Sequence, residues 1–113
     1  MAHTFEEDLE RELRDPEFAR GFGAARANSS FALTLANARL QAGLTQKELA
    51  EKVGVSQAYI AKLEGGDANP TLGRIGSLLA VLGLSLVTDV TTLSPYSDTS
   101  ARPTIRKREM AKA

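Results

Sequence analysis

Between Leu44 and Gly66 the chain reads LTQKELAEKVGVSQAYIAKLEGG, and its polar side chains suit hydrogen bonding rather than catalysis. Gln57 offers a donor and an acceptor together, the pattern that pairs bidentately with adenine N6 and N7. Lys62, five residues on, can donate to guanine O6 and N7. Between them, Ala58 is small enough to touch a thymine methyl, and Tyr59 carries a hydroxyl that reaches a base edge or a phosphate. The remaining chemistry is sparse. There is no cysteine, and the single histidine is His3. Thiolate metal sites, histidine-cluster metal sites and a Ser-His-Asp arrangement in the body of the chain are thereby excluded. No glycine-rich phosphate loop and no acid pair at a readable spacing is present, so the expectation is a protein that is not an enzyme and uses no metal or cofactor. No run of 18 apolar residues occurs, and no membrane partner is expected.

Positioning these groups requires two short helices. Thr45 with Glu48 three residues later forms a capping box at the start of one. Leu49, Ala50 and Val53 are its buried side, and Gly54 supplies a turn that a β-carbon would obstruct. Ser56 caps the next helix, which runs through Glu64 with Ile60 and Leu63 inward. Gln57, Ala58, Tyr59, Ala61 and Lys62 are left on its outer surface or N-terminal end. Two capped helices joined by a tight glycine turn cross steeply, with the small Ala50 at the crossing. This is the anatomy of a helix-turn-helix, whose second helix enters the DNA major groove.

The flanking sequence frames that unit. Phe5, Leu9 and Leu13 line one face of a first helix. Asp15-Pro16-Glu17 restarts a second helix, with Phe18, Phe22 and Ala25 on one face. Asn28-Ser29-Ser30 reads as a break, followed by a third helix with Phe31, Leu35, Ala38 and Ala42 facing the core. Leu33, Ala36 and Leu40 form a second apolar face there, so this helix is expected to lie sandwiched between the N-terminal pair and the rest of the domain. Thr71 caps a last helix with Leu72, Ile75, Leu79 and Leu82 inward, and Gly73 and Gly76 suggest close helix–helix approach. Beyond Gly83 the β-branched residues lose helical spacing and read as one strand. The polar, basic end of the chain is expected to be disordered.

Residues Phe31 to Gly83 resemble the helix-turn-helix of phage repressors and of XRE-type bacterial regulators. The resemblance is carried by Gly43-Leu44-Thr45-Gln46, Glu48-Leu49-Ala50, Val53-Gly54-Val55-Ser56-Gln57, Ile60, Leu63-Glu64-Gly65 and Pro70-Thr71-Leu72. It implies an all-α, λ-repressor-like bundle of five or six helices, with two added N-terminal helices and one short C-terminal strand. It also implies sequence-specific binding to a palindromic operator in double-stranded DNA. Gln57, Ala58, Tyr59 and Lys62 are then the base-contact candidates, and Gln46, Lys47, Ser56, Asn69 and Thr71 the phosphate-contact candidates. The matching arginine and glutamate of this family pair across the fold, which assigns Arg39 and Glu64 as a structural ion pair.

A narrower resemblance, to HigA-type antitoxins, rests on Leu13-Arg14-Asp15-Pro16-Glu17-Phe18 and on the strand-like Leu84–Val90. It implies a small basic RelE/HigB-like ribonuclease toxin as partner, repression of the shared operon, and a bacterial cytoplasmic location with the nucleoid as its site when operator-bound. The alternative is a free-standing repressor with no toxin. Charge is distributed in keeping with separate partners. Residues 1–17 hold seven acids and two arginines, a net of −5, whereas residues 18–75 hold seven basic and four acidic residues, a net of +3. Phe5, Leu9, Leu13 and Phe18 are accordingly the toxin-binding candidates. Leu84, Leu86, Val87 and Val90 are the dimer candidates, since a lone strand needs the same strand from a second copy. The expected organisation is an acidic helical extension over 1–28, the DNA-binding domain over 29–83, a dimerisation strand over 84–92 and a basic tail over 93–113.

Overall fold

In the computed structural model, residues 4–93 are described; the basic tail from 94 onward lies outside them. Five α-helices follow one another: α1 (Phe5–Glu12), α2 (Pro16–Gln41), α3 (Gln46–Val53), α4 (Gln57–Glu64) and α5 (Leu72–Val81). Side-chain caps start all five. Thr4 and Glu7 make a capping box on α1, and Thr45 and Glu48 make another on α3. Asp15, Ser56 and Thr71 accept from Glu17, Tyr59 and Arg74 N–H at the starts of α2, α4 and α5. Each such cap satisfies a first-turn donor and contributes about 1 kcal/mol. Gly54 closes α3 at φ 85°, and no atom lies within 4 Å of where its β-carbon would be. The turn therefore selects glycine for its left-handed backbone and not for lack of room.

The core is small and aliphatic. Leu35 of α2, Leu49 and Ala50 of α3, Ile60 and Leu63 of α4 and Leu78 of α5 form one buried cluster, edged by Phe31, Leu44, Val53, Val55, Tyr59, Ala68 and Leu82. The small Ala50, 2% exposed, lies within it as expected for the α3–α4 crossing. At one side of this core Arg39 and Glu64 form a two-pronged ion pair, with Nε to Oε2 at 2.7 Å and Nη2 to Oε1 at 3.0 Å. Arg39 Nη1 also donates to the Leu44 carbonyl at 2.8 Å, and Gln46 Nε2 donates to Glu64 Oε1 at 3.1 Å. One network thus ties the end of α2, the following turn, the start of α3 and the end of α4. Hydrogen bonding to Glu64, aided by its charge, holds the Arg39 pKa above its ordinary value despite the opposing effect of burial.

Several expectations are corrected. Asn28-Ser29-Ser30 does not break the chain: α2 is one helix of 26 residues. Asn and Ser cost only about 0.5 kcal/mol each inside a helix, and no proline or left-handed glycine accompanies them to turn the backbone. The extension before the domain is therefore one short helix plus the first half of α2. Nor is α2 sandwiched, since Leu33 and Leu40 are 51% and 62% exposed. Its buried residues, Ala32, Leu35 and Ala38, all fall in the C-terminal half, and Ala42 is exposed past its end.

In α5 the fully buried residue is Leu78, while Leu72 is 69% exposed in the first turn and borders a groove instead of the core. Gly73 and Gly76 mark no close approach. A β-carbon at Gly76 would meet nothing within 4 Å, and one at Gly73 would meet only the nearby Thr71 hydroxyl at 4.0 Å. Finally, residues 84–93 carry no regular secondary structure, with Leu84 half-buried and Val90 91% exposed. A strand is defined by its ladder, and the described residues include no second strand to pair with.

Two stability predictions follow from this packing. Leu78→Ala should lower unfolding free energy by about 2–5 kcal/mol and Leu72→Ala by no more than about 0.5 kcal/mol, measured by urea denaturation. Arg39→Met should cost about 2–4 kcal/mol, somewhat less than removal of one partner of a fully buried pair, because its side chain keeps some contact with water. In a double-mutant cycle, Arg39→Met with Glu64→Leu should cost less than the two single changes added, by about 1 kcal/mol or more.

Candidate nucleic-acid interface

The exposed face of α4 is set by what its other face buries. Ile60 and Leu63 are 0% and 2% exposed, which fixes the rotation of the helix about its axis. Gln57, Ala58, Ala61 and Lys62 are exposed as a consequence. The side chain of Ser56 accepts from Tyr59 N–H at 3.0 Å and stays at the surface, so its own hydroxyl proton is available to an acceptor outside the protein. Lys47, in the first turn of α3, and Asn69 and Thr71, before α5, are exposed as well. The Thr71 oxygen is occupied as the α5 cap, accepting from Arg74 N–H at 3.1 Å.

Two of the expected contact residues are engaged within the fold. Tyr59 is half-buried against the core, and the Arg74 guanidinium carbon lies 5.4 Å from its ring centroid, within cation–π range. The ring is thus held between core and cation, which limits where its hydroxyl can point. The Gln46 side-chain amide is committed to Glu64. Gln46 can still offer a phosphate the second N–H of that amide and its backbone N–H, in the first helical turn, where donors lack intrahelical partners. Arg74 is a residue that sequence reading missed. It lies between two apolar neighbours in a helix read only for its core stripe, and its place beside α4 depends on how α5 packs.

Electrostatically, the surface around α3, α4 and the start of α5 presents the exposed cations Lys47, Lys52, Lys62 and Arg74. The exposed acids of α1, Glu6, Glu7, Glu10 and Glu12, belong to a separate element with no buried residue. The toxin-binding candidates divide between elements. Phe5 is 75% exposed on α1, with Leu9 and Leu13 half-buried, whereas Phe18 lies on α2 with its ring 5.9 Å from that of Phe22. The dimer candidates Leu84, Leu86 and Val87 border an open groove of about 570 Å³ between α2, α5 and the C-terminal segment, walled otherwise by Phe31, Leu72 and Ile75. Val90 lies beyond it. Among the described residues no helix is long and apolar enough to cross a membrane.

Known proteins match this same region. A family model described as helix-turn-helix matches residues 35–88. An uncharacterized HTH-type transcriptional regulator, y4dJ of Sinorhizobium fredii, is 43% identical over 56 residues, covering 50% of this chain and 73% of that protein. Antitoxin HipB of Escherichia coli is 43% identical over 68 residues, covering 56% of this chain and 77% of its own. An uncharacterized HTH-type transcriptional regulator of Haemophilus influenzae is 44% identical over 52 residues, with 46% of this chain and 53% of that protein covered. The capped helices, the outward-facing second helix and these likenesses agree, and the chain belongs to the XRE-type helix-turn-helix family of non-enzymatic, DNA-binding transcriptional regulators.

Proposed function

We propose that the chain reads a palindromic operator with α4 and acts as an antitoxin that represses its own operon. The observation that carries the DNA reading is the division of α4: Ile60 and Leu63 are buried while Gln57, Ala58 and Lys62 face outward. With α4 in the major groove, Gln57 pairs with adenine, Lys62 with guanine, and Ala58 meets a thymine methyl. Tyr59, held by Arg74, contributes its hydroxyl from the edge. Lys47, Ser56, Asn69, Thr71 and the backbone N–H of Gln46 hold phosphates on either side and set the register. A palindrome calls for two copies about 34 Å apart along the duplex. The second copy joins through Leu84, Leu86, Val87 and Val90, paired as antiparallel strands across a two-fold axis. Support for this contact is the exposure of Val87 and Val90, 84% and 91%, on a segment without regular secondary structure.

The antitoxin role is supported by the likeness to antitoxin HipB and by the acidic first helix. Phe5, Leu9 and Leu13 provide an apolar stripe, and Glu6, Glu7, Glu10 and Glu12 provide negative charge suited to the basic RNA-binding face of a small RelE/HigB-like toxin. Opposite charge here accelerates encounter more than it strengthens the complex. A free-standing repressor is the second reading, favoured by the relatives whose names describe transcriptional regulators alone.

Gln57→Ala and Lys62→Ala should each cost about 1–3 kcal/mol of operator affinity and relax base preference at one position per half-site, read by gel-shift titration against single-base operator variants. Unchanged affinity in the double variant would remove α4 as the reading helix. The toxin role is tested by truncation of residues 1–14, which leaves the Asp15 cap of α2 in place. The truncated protein should still bind operator but fail to restore growth when co-expressed with a small basic toxin encoded beside its gene. Full rescue by the truncated protein would move the toxin-binding site to another surface, whereas failure of even the full-length protein to restore growth would leave the free-standing repressor as the surviving reading.

A further inference from the structure

The outer side of α2 carries an apolar stripe that the DNA reading does not use. Phe18, Phe22, Ala25, Ser29, Leu33, Ala36 and Leu40 follow one another at spacings of four, three, four, four, three and four. At 3.6 residues per turn they fall within an arc of about 80° along the helix. The pattern repeats every eleven residues, close enough to the natural helical period for the stripe to run nearly straight. None of the seven is charged. None is buried, and Leu33 and Leu40 are 51% and 62% exposed. The stripe is turned about 150° around α2 from the residues that line the groove beside the C-terminal segment, so a molecule seated on one leaves the other open. The first half of α2, Pro16 to Ser30, moreover contains no buried residue and includes Gly21 and Gly23. A helical arm of that length and composition is marginal in water without a packing partner.

We infer that this stripe pairs antiparallel with the same stripe of a second copy, across a two-fold axis at Ser29. The size pattern is self-complementary about that residue. Placed antiparallel, Phe22 falls level with Ala36 of the second copy, Leu33 with Ala25, and Phe18 with Leu40, so that large residues meet small ones through the middle and apolar residues close each end. Ser29 meets itself at the centre of the stripe, both along the helix and around it. The helix dipoles also oppose each other in this arrangement.

The seam spans about 33 Å on a helix roughly 10–12 Å across, a footprint of about 350 Å² per copy. That is well below the roughly 800 Å² per partner of a standard stable interface. The contact is therefore a weak one that adds to the C-terminal contact. The C-terminal contact proposed above and this one use different surfaces of the chain, so one copy can engage both at once.

The test uses the absence of cysteine from the chain. At an interhelical distance of 8–10 Å, with Cα atoms about 2.3 Å from each axis, two Ser29 Cα atoms come within about 3.4–5.4 Å, a range whose upper part a disulfide spans. Full-length Ser29→Cys should form a covalent dimer under mild oxidation at least about tenfold faster than Ala24→Cys, an exposed position on the opposite side of α2. Leu33→Glu or Leu40→Glu, placed in the Ser29→Cys background, should remove that advantage while the circular dichroism remains helical. Val87→Pro, which acts on the C-terminal contact, should leave it in place. Equal cross-linking at positions 24 and 29, or cross-linking indifferent to both glutamates, would overturn the pairing. The result is independent of operator affinity, so its failure leaves the DNA reading standing.

Discussion

The ion pair between Arg39 and Glu64 is the constraint on which the DNA-binding surface depends. Three short helices cannot fix their own crossing angles from a core of about six aliphatic side chains, because such contacts are non-directional. A guanidinium held by both oxygens of one carboxylate is directional, and its fork geometry tolerates little rotation. Here it joins the end of α2 to the end of α4, and its remaining donor holds the Leu44 carbonyl at the entry to α3. The Gln46 amide adds α3 itself to the same carboxylate. Such a pair contributes little net stability over an apolar replacement; its value lies in specifying one arrangement.

From that arrangement the surface follows. With α4 pinned at its C-terminal end by Glu64 and along its inner side by Ile60 and Leu63, only its outer face is left for a partner, and that face holds Gln57, Ala58 and Lys62. The glycine turn at Gly54 and the Ser56 cap determine where α4 begins, and so how far Gln57 projects. Arg74 over the Tyr59 ring adds a cation at the edge of the same surface and ties α5 to α4. The residues proposed to read bases and those proposed to grip phosphates are thus held on a scaffold whose polar network leaves no described buried side-chain polar atom without a partner.

Outside this unit several large apolar side chains stand open among the described residues. Phe5, Leu33, Leu40, Leu72, Val87 and Val90 all expose large apolar side chains, distributed among α1, the outer side of α2 and the groove beside the C-terminal segment. Apolar surface in several separate patches fits the associations proposed above. The acidic first helix, the C-terminal segment and the α2 stripe differ in charge and shape, which suits them to different occupants.

The helix-turn-helix was legible in the sequence because its signals are local. Capping boxes, N-cap serine and threonine, and a glycine with positive φ are decided within four residues, and Thr45, Gly54, Ser56 and Thr71 behave as their neighbours dictate. The outward set on α4 was legible for the same reason, since the spacing of Ile60 and Leu63 determines the opposite face. What the sequence left open depended on distant partners. Asn28-Ser29-Ser30 carries break signals too weak to overcome helix propagation through α2, and Leu72 and Leu78 share apolar character but only packing against α3 separates core from rim. Gln46 and Arg74 took their partners from other helices. The segment just after Gly83 is rich in strand-forming residues, but a strand exists only in a ladder, and no second strand stands beside it among the described residues.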